Sequence, residues 1–226
     1  MAIAEPPRVR PKLVGTSVKR KEDPRLITGN GQYLDDIKLP GMAHVAILRS
    51  PHAHARIHHI DTSAARALPG VIDVITGADL RDSVNPLPCA FPAGGVENHI
   101  PPHRVLAVDR VRYVGDGVAA VVAEDAYIAH DALELITVDY EPLPAVVDQE
   151  QAMADGAPQL HDEAPHNICM HWTAGDRAAT DAAIKSAEVV VRQRFRNQRL
   201  IPNPMETRGA IARYDPGTGE MTLWLT

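Results

Sequence analysis

The sequence predicts an α/β fold, with one complete α/β domain followed by the opening of a second domain. Two observations support this prediction. Residues 118–123, "VAAVVA", form a continuous apolar run typical of a strand buried on both faces, and "ITVDY" (136–140) alternates like a half-buried strand. Between them, apolar residues recur at helical spacing after Glu124 and Asp125, which can cap a helix. The pattern predicts a β-α-β unit with a right-handed crossover, and hence a mixed sheet with packed helices.

Composition limits the kind of protein. The chain has 226 residues, 45% of them hydrophobic, which is enough for one large domain or for one ordinary domain and part of another. Its 23 Lys and Arg and 29 Asp and Glu are mixed along the chain, which disfavours nucleic acid or an anionic membrane as a partner. Cys89 and Cys169 are far apart, and no apolar run approaches the roughly 20 residues of a membrane span. We therefore expect a soluble, cytoplasmic protein.

The N-terminal part contains an arm, three strands and a helix. Residues 1–22 carry prolines and basic residues without a steady period, so we expect an extended arm that gains order by lying on another surface. Thr62 and Ser63 are good caps for a short alanine-rich helix, which Pro69 and Gly70 end. The three predicted strands cover residues 42–48, 55–60 and 71–76.

A long loop is predicted at residues 82–103. Five prolines in this stretch cannot donate sheet hydrogen bonds, and a Gly-Gly pair follows the third of them. Loops of this length in compact domains are usually functional or covered by a partner. We therefore expect residues 82–103 to contact another chain or domain.

A second boundary is predicted at residues 155–167, where Gly, Pro, His and acidic residues replace the periodic pattern. Beyond it, Thr180 and Asp181 mark the start of a short alanine-rich helix, and a long strand is expected from Glu188. A hairpin turn at 215–219 then leads into an alternating last strand.

Four histidines in "RSPHAHARIHH" form the most suggestive cluster in the chain. On a strand, His52, His54 and His58 would share one face, and His59 would lie on the other. A three-nitrogen metal site is thus conceivable, but the nearest acid, Asp61, points with His59 and does not complete the ligand shell. We interpret these residues as loop and interface histidines, and keep a histidine-rich metal-binding protein as an alternative.

Three further patterns have structural interpretations. "GDGVAA" (115–120) matches a dinucleotide motif formally, but it precedes a strand instead of opening a helix, so a tight turn is expected. Arg192, Arg194 and Arg196 recur at period two, which predicts a solvated or salt-bridged sheet face, with an acidic partner as the alternative. Glu206 in "NPMETRG" is interpreted as a structural acid. We assign no catalytic, cofactor-binding or metal-ligating residue to this chain.

The order of segments resembles a known family. The matching stretches are "GTSVKRKEDPRLITGNGQYLDDIKLPGMAHVAILRSPHAHARI", "LPGVIDVITGADL", "VRYVGDGVAAVVAEDAYIAHDALELITVDYEPLPAVVD" and "NPMETRGAIARYDPGTGEMTLWLT". In this order they resemble the start of the large, molybdenum-binding subunit of the xanthine dehydrogenase family. Within that family, the branch of carbon monoxide dehydrogenases and N-heterocycle hydroxylases is most similar.

The resemblance implies a domain plan. The arm at 1–22 would precede an α/β hammerhead domain at 23–148, a linker at 149–166 and, at 167–226, the first strands of a molybdopterin-binding domain. A glutamine near the molybdenum, a glycine-rich loop and a base glutamate would all follow Thr226. The chain would then hold no ligand of the metal itself.

The resemblance also implies an activity and partners. Family enzymes hydroxylate a small substrate such as an N-heterocycle, an aldehyde or CO with oxygen from water. They use molybdenum on a pterin, commonly the cytosine dinucleotide in bacteria, and pass electrons to [2Fe-2S] and FAD. The expected partners are the remaining molybdopterin-binding polypeptide, an iron-sulfur small subunit and an FAD medium subunit, in a dimer of heteromers. The alternative is a free-standing, non-enzymatic interaction module with the hammerhead fold.

Overall fold

The structure, a computed structural model, describes residues 13–89 and 98–226. These residues form two compact units: Gly41–Arg194, and residues 13–40 together with Phe195–Thr226. The predicted α/β class is confirmed. No helix in the described part of the chain is long and apolar enough to cross a membrane.

The strands and helices are short. The strands are β1 (His44–Arg49), β2 (Ala55–Asp61), β3 (Val71–Thr76), β4 (Arg110–Val111), β5 (Gly117–Ala123), β6 (Thr137–Pro142), β7 (Ala210–Tyr214) and β8 (Met221–Leu225). The α-helices are α1 (Asp23–Ile27), α2 (Ser63–Ala67), α3 (Gly77–Leu80), α4 (Ala126–Leu133), α5 (Gln149–Ala152) and α6 (Arg177–Ser186). Two 3-10 turns lie at Leu34–Asp36 and Pro165–Asn167.

The first sheet has the order β1-β5-β3, and β5 lies at its centre. Val118, Ala119 and Val121 of β5 are fully buried, as the apolar run at 118–123 predicts. Small side chains of α2 and α4, among them Ala65 and Ala132, pack against this sheet in one cluster. The buried residues that these helices contribute are alanines, and the sheet contributes mainly alanine and valine.

Helix α4 begins where its cap predicts. The carboxylate of Asp125 accepts a hydrogen bond from the Tyr127 backbone N–H at 2.7 Å, so one donor of the first turn is satisfied. Ala129 and Ala132 on one side of the helix are buried. The predicted helix between the two strands is therefore confirmed.

The expected β-α-β unit is wrong, and so is the mixed sheet. Strand β6 lies in a second sheet of order β4-β2-β6, whereas β5 belongs to the first. All strand pairings in the described residues are antiparallel. The apolar run had indicated burial on both faces, which a central antiparallel strand also provides, and burial carries no information on strand direction.

The strand expected from Glu188 is also absent, since residues 187–209 contain no helix or strand. A strand needs a neighbour that pairs along its length, and residues 187–209 belong to none of the sheets in the described part of the chain. The helix before it begins at Arg177 with Asp176 as its cap, earlier than the start expected at Thr180. The Asp176 carboxylate accepts a hydrogen bond from the Ala179 N–H at 2.9 Å.

The described parts of the long loop form two backbone hydrogen bonds within this chain, and the expected contact with another chain or domain remains a prediction. The Leu87 N–H donates to His103 O at 2.9 Å, and the His99 N–H donates to Cys169 O at 2.8 Å. Residues 82–89 and 98–103 contain no helix or strand apart from a bridge between Asn98 and Met170. Residues 90–97 of the predicted loop and 1–12 of the predicted arm lie outside the described residues.

Candidate functional site

The β7–β8 hairpin is the most regular part of the second half of the chain. Its strands pair from Ala210 opposite Leu225 to Tyr214 opposite Met221. At the turn, the Asp215 carboxylate accepts hydrogen bonds from the N–H groups of Gly217 at 2.8 Å and Thr218 at 3.3 Å. The predicted hairpin and its turn are confirmed.

The segment that leads into this hairpin contacts residues near the N-terminus. The Leu34 backbone N–H donates to Glu206 Oε1 at 2.7 Å. Leu34 Cδ2 also lies so close to Gly209 that a Cβ added there would come within 2.5 Å of it. Glu206 thus has a structural partner, as its position between a proline turn and a strand suggests, but the sequence did not identify Leu34 as that partner.

The histidine cluster does not form on one strand face. Strand β2 begins at Ala55, so His52 and His54 precede it, and an irregularity between Ile57 and His59 breaks the alternation. His54 is buried, whereas His58 and His59 are exposed. His52, His54 and His58 therefore do not share one strand face, because the segment is not a regular strand throughout.

The described histidines of this cluster have separate neighbours. His54 Nδ1 lies 2.7 Å from Pro144 O, which requires a proton on Nδ1 because a carbonyl only accepts. His52 packs edge-on against Tyr140, with ring centroids 4.9 Å apart. His58 Nε2 lies 3.1 Å from Glu141 Oε2. In residues 13–89 and 98–226, no three His, Cys, Asp or Glu side chains are grouped so that they could hold a metal ion.

A second polar cluster, which the sequence did not indicate, surrounds His161. Arg112 Nε donates to Leu160 O at 2.8 Å and fixes the chain just before this histidine. Burial, and after it the charge of Arg112, lower the pKa of His161 from its ordinary value. His161 Nδ1 and Arg110 Nε are buried without a hydrogen-bond partner among the described residues. His161 itself lies outside the helices and strands, so hydrophobic periodicity does not indicate this cluster.

The glycine motif at 115–120 is a turn, as predicted. Gly115 has φ +93°, and Gly117 opens strand β5 instead of a helix. A Cβ on Gly117 would lie 3.2 Å from Leu106 Cδ2 and 3.3 Å from Val105 O, so a second segment packs closely here. Because Gly117 opens a strand, this segment is not a phosphate-binding helix start.

The three arginines do not share a strand face, because residues 187–209 contain no strand. Arg194 instead forms an ion pair with Glu150. This hydrogen bond raises the pKa of Arg194. The expected sheet face is wrong, whereas the salt-bridged character is confirmed for Arg194.

In this region the described side chains hold the backbone in place, and they do not form a reactive group. The hairpin, the Glu206 contact and the turn of Asp215 fix backbone geometry through hydrogen bonds from N–H groups to carboxylates. Cys89 and Cys169 are exposed. The assignment of no catalytic, cofactor-binding or metal-ligating residue in this chain remains a prediction.

Two family models match the chain in series. A model described as "Aldehyde oxidase and xanthine dehydrogenase, a/b hammerhead domain" matches residues 28–144, more than half of the chain. A model described as "Molybdopterin cofactor-binding domain" matches residues 160–226. The β7–β8 hairpin therefore lies in the part that matches the cofactor-binding model.

Similar proteins carry enzyme names. The carbon monoxide dehydrogenase large chain of Afipia carboxidovorans is 44% identical over 95% of this chain and 27% of that protein. The nicotine 6-hydroxylase large subunit of Paenarthrobacter nicotinovorans is 39% identical over 97% of this chain and 26% of that protein. The chain thus spans about a quarter of the length of these curated relatives.

Solved structures share the fold. CO dehydrogenase from Oligotropha carboxidovorans matches with a TM-score of 0.81 and 42% identity, covering 94% of this chain and 27% of that one. Quinoline 2-oxidoreductase from Pseudomonas putida 86 matches with a TM-score of 0.77 and 42% identity, covering 93% of this chain and 26% of that one.

Proposed function

Because the chain belongs to the aldehyde oxidase and xanthine dehydrogenase family, we propose that it is the N-terminal portion of the large subunit of a molybdenum hydroxylase. The observation that carries this proposal is the order of the two matches, a hammerhead domain at 28–144 and a molybdopterin-binding domain at 160–226. We further propose an arm at 1–22, a hammerhead domain at 23–148, a linker at 149–166 and the start of the cofactor-binding domain at 167–226.

The proposed reaction is hydroxylation of a small substrate with oxygen from water. The substrate would be an N-heterocycle, an aldehyde or CO, which agrees with the names of the relatives, among them a nicotine hydroxylase, a quinoline oxidoreductase and carbon monoxide dehydrogenases. Molybdenum on a pterin, in the cytosine dinucleotide form, would accept the electrons and pass them to [2Fe-2S] and FAD on partner subunits.

The described residues do not by themselves fit a molybdenum centre. No group of three potential ligands forms among them, and the Glu206 carboxylate is engaged by the Leu34 N–H. The proposed role of this chain is therefore to supply the hammerhead scaffold and the first hairpin of the cofactor-binding domain, and we derive no chemical step from its side chains.

The proposed partners are the remaining molybdopterin-binding polypeptide, an iron-sulfur small subunit and an FAD medium subunit. They would assemble with this chain in the cytoplasm as a dimer of heteromers. Names such as "large chain" and "large subunit" among the relatives support an assembly of several chains. A free-standing interaction module gains no support, because these relatives are named as parts of enzymes.

The proposal is tested by purifying the assembled complex from its native source or by co-expression. We expect bound molybdenum, cytosine nucleotide released by acid hydrolysis, and product that carries the label of ¹⁸O-water. The 226-residue chain alone is the matched control and should show none of these three signals. A complex without molybdenum, or product labelled only from ¹⁸O₂, would contradict the proposal.

A further inference from the structure

We propose that Glu206 is a positioning residue that holds segment 13–40 against the entry to the β7–β8 hairpin. The inference rests on the proposed function in one respect, namely that the hairpin belongs to a molybdopterin-binding domain. Glu206 touches no cofactor in this proposal. It acts through Leu34 and through the backbone that precedes β7.

The first contact is the hydrogen bond from the Leu34 N–H to Glu206 Oε1, at 2.7 Å between residues 172 positions apart. Leu34 opens the 3-10 turn Leu34–Asp36, and the N–H groups at the start of such a turn have no partner inside it. A carboxylate is a strong acceptor for such a donor. Glu206 is half-buried, so water competes only partly for this bond.

A second carboxylate binds the neighbouring N–H of the same turn. Asp36 Oδ2 accepts from the Tyr33 N–H at 2.9 Å. Each acid thus accepts from one backbone N–H of the turn: Asp36, three residues away, accepts from Tyr33, and the distant Glu206 accepts from Leu34.

The Leu34 side chain makes the third contact. Its Cδ2 packs onto Gly209, where an added Cβ would come within 2.5 Å. Gly209 in turn closes the open end of the hairpin: its N–H donates to Thr226 Oγ1 at 3.0 Å, and its carbonyl accepts from the Thr226 N–H at 3.4 Å. The Leu34 backbone is therefore bound by Glu206, and the Leu34 side chain packs on Gly209, which is hydrogen-bonded to Thr226 at the open end of the hairpin.

These contacts make the position of the hairpin depend on segment 13–40. The described parts of the two segments, residues 13–40 and Phe195–Thr226, form one compact unit, separate from Gly41–Arg194. Loss of the Glu206 carboxylate leaves the Leu34 N–H without its acceptor, and the packing of Leu34 on Gly209 alone must then fix both segments. A displaced hairpin would change the geometry of the cofactor-binding domain without removing any ligand.

The test compares the Glu206→Ala and Glu206→Gln variants in the assembled complex. Hydrogen exchange of residues 33–36 and 209–214 should accelerate roughly tenfold in Glu206→Ala, the size expected for loss of a hydrogen bond to a charged group. Glu206→Gln keeps an acceptor oxygen and should restore most of the protection. Glu220→Gln, an exposed acid on the same hairpin, is the matched control and should leave exchange unchanged.

Measurements of kcat and KM distinguish a positioning role of Glu206 from a role in stability alone. In Glu206→Ala, kcat per bound molybdenum should fall while KM and molybdenum content stay near wild type, and Glu206→Gln should recover kcat.

Unchanged exchange and kcat in Glu206→Ala would overturn the proposal, as would faster exchange without a loss of kcat. If Glu206→Ala fails to assemble, the Glu206→Gln variant alone tests the proposal. Wild-type exchange and kcat in Glu206→Gln support it, and the loss of both overturns it. A wild-type complex without molybdenum would refute the proposed function alone, since the exchange measurement still reports the contact.

Discussion

At the scale of single residues, the protonation of His161 is coupled to folding. Burial disfavours its protonated form, and Arg112 adds repulsion, so the pKa of His161 is lowered in the folded chain. Its buried Nδ1 has no hydrogen-bond partner among residues 13–89 and 98–226 to compensate. The neutral imidazole is therefore the form that the fold favours.

The lowered pKa of His161 predicts a loss of stability on acidification. Above pH 6.5 His161 is neutral in both states and costs nothing, but as the pH falls through 6.5 toward the lower folded pKa, the unfolded chain binds a proton first. The free energy of unfolding should fall over this range, and less steeply in His161→Gln. Urea unfolding between pH 5 and 8 measures both slopes. Equal slopes in the two proteins would contradict this assignment.

Gly77 is a second residue with a defined cost of substitution. A Cβ at this position would lie 2.1 Å from Ala107 O, and a backbone atom cannot move aside as a flexible side chain can. Gly77→Ala should destabilise the unit Gly41–Arg194 by about 1–3 kcal/mol, the range for overpacking.

Gly156→Ala is the control for Gly77→Ala, because it meets open space and carries only the strain of its φ of +78°. Thermal unfolding of both variants compares the two costs. A smaller loss in Gly77→Ala than in Gly156→Ala would show that the Ala107 carbonyl does not restrict the site.

At the scale of elements, the sequence predicts features that depend only on neighbouring residues, such as helix caps, turns and buried strands. The cap at Asp125, the turn at Asp215 and the central strand β5 all follow from neighbours in the chain. The direction of the strands and the sheet to which β6 belongs depend on distant pairings, which periodicity does not report. The contact between Leu34 and Glu206 was missed for the same reason, since it joins positions 172 apart.

Helix α4 provides an element-level prediction. Removing the cap in Asp125→Ala leaves the Tyr127 N–H without its 2.7 Å acceptor and should destabilise the protein by about 1 kcal/mol. Asp125→Ser keeps a capping oxygen and should recover most of this loss. Chemical denaturation of the three proteins gives the comparison. A loss in Asp125→Ser as large as in Asp125→Ala would count against the cap.

At the scale of the whole molecule, the two units differ in how they bury apolar side chains. The unit Gly41–Arg194 contains both buried clusters of Ala and Val. Between residues 195 and 205, before the hairpin, four large apolar side chains are more than three-quarters exposed; these are Phe195, Leu200, Ile201 and Met205. Such a surface favours association with a further polypeptide.

The 226-residue chain alone should therefore self-associate more strongly than residues 41–194, which contain both buried clusters. Light scattering after size-exclusion chromatography measures both, and addition of the proposed partner polypeptide should suppress the self-association. A monomeric 226-residue chain with protected amides throughout 195–226 would contradict this expectation.

The contact between Leu34 and Glu206 has a consequence for synthesis on the ribosome. At about 5–20 residues per second, roughly 9 to 34 s pass between the addition of Leu34 and that of Glu206. Gly41–Arg194, whose contacts lie within the intervening stretch, can fold during this interval. Segment 13–40 leaves the ribosome early but completes its structure late, so it is the part of the nascent chain that is available longest to chaperones.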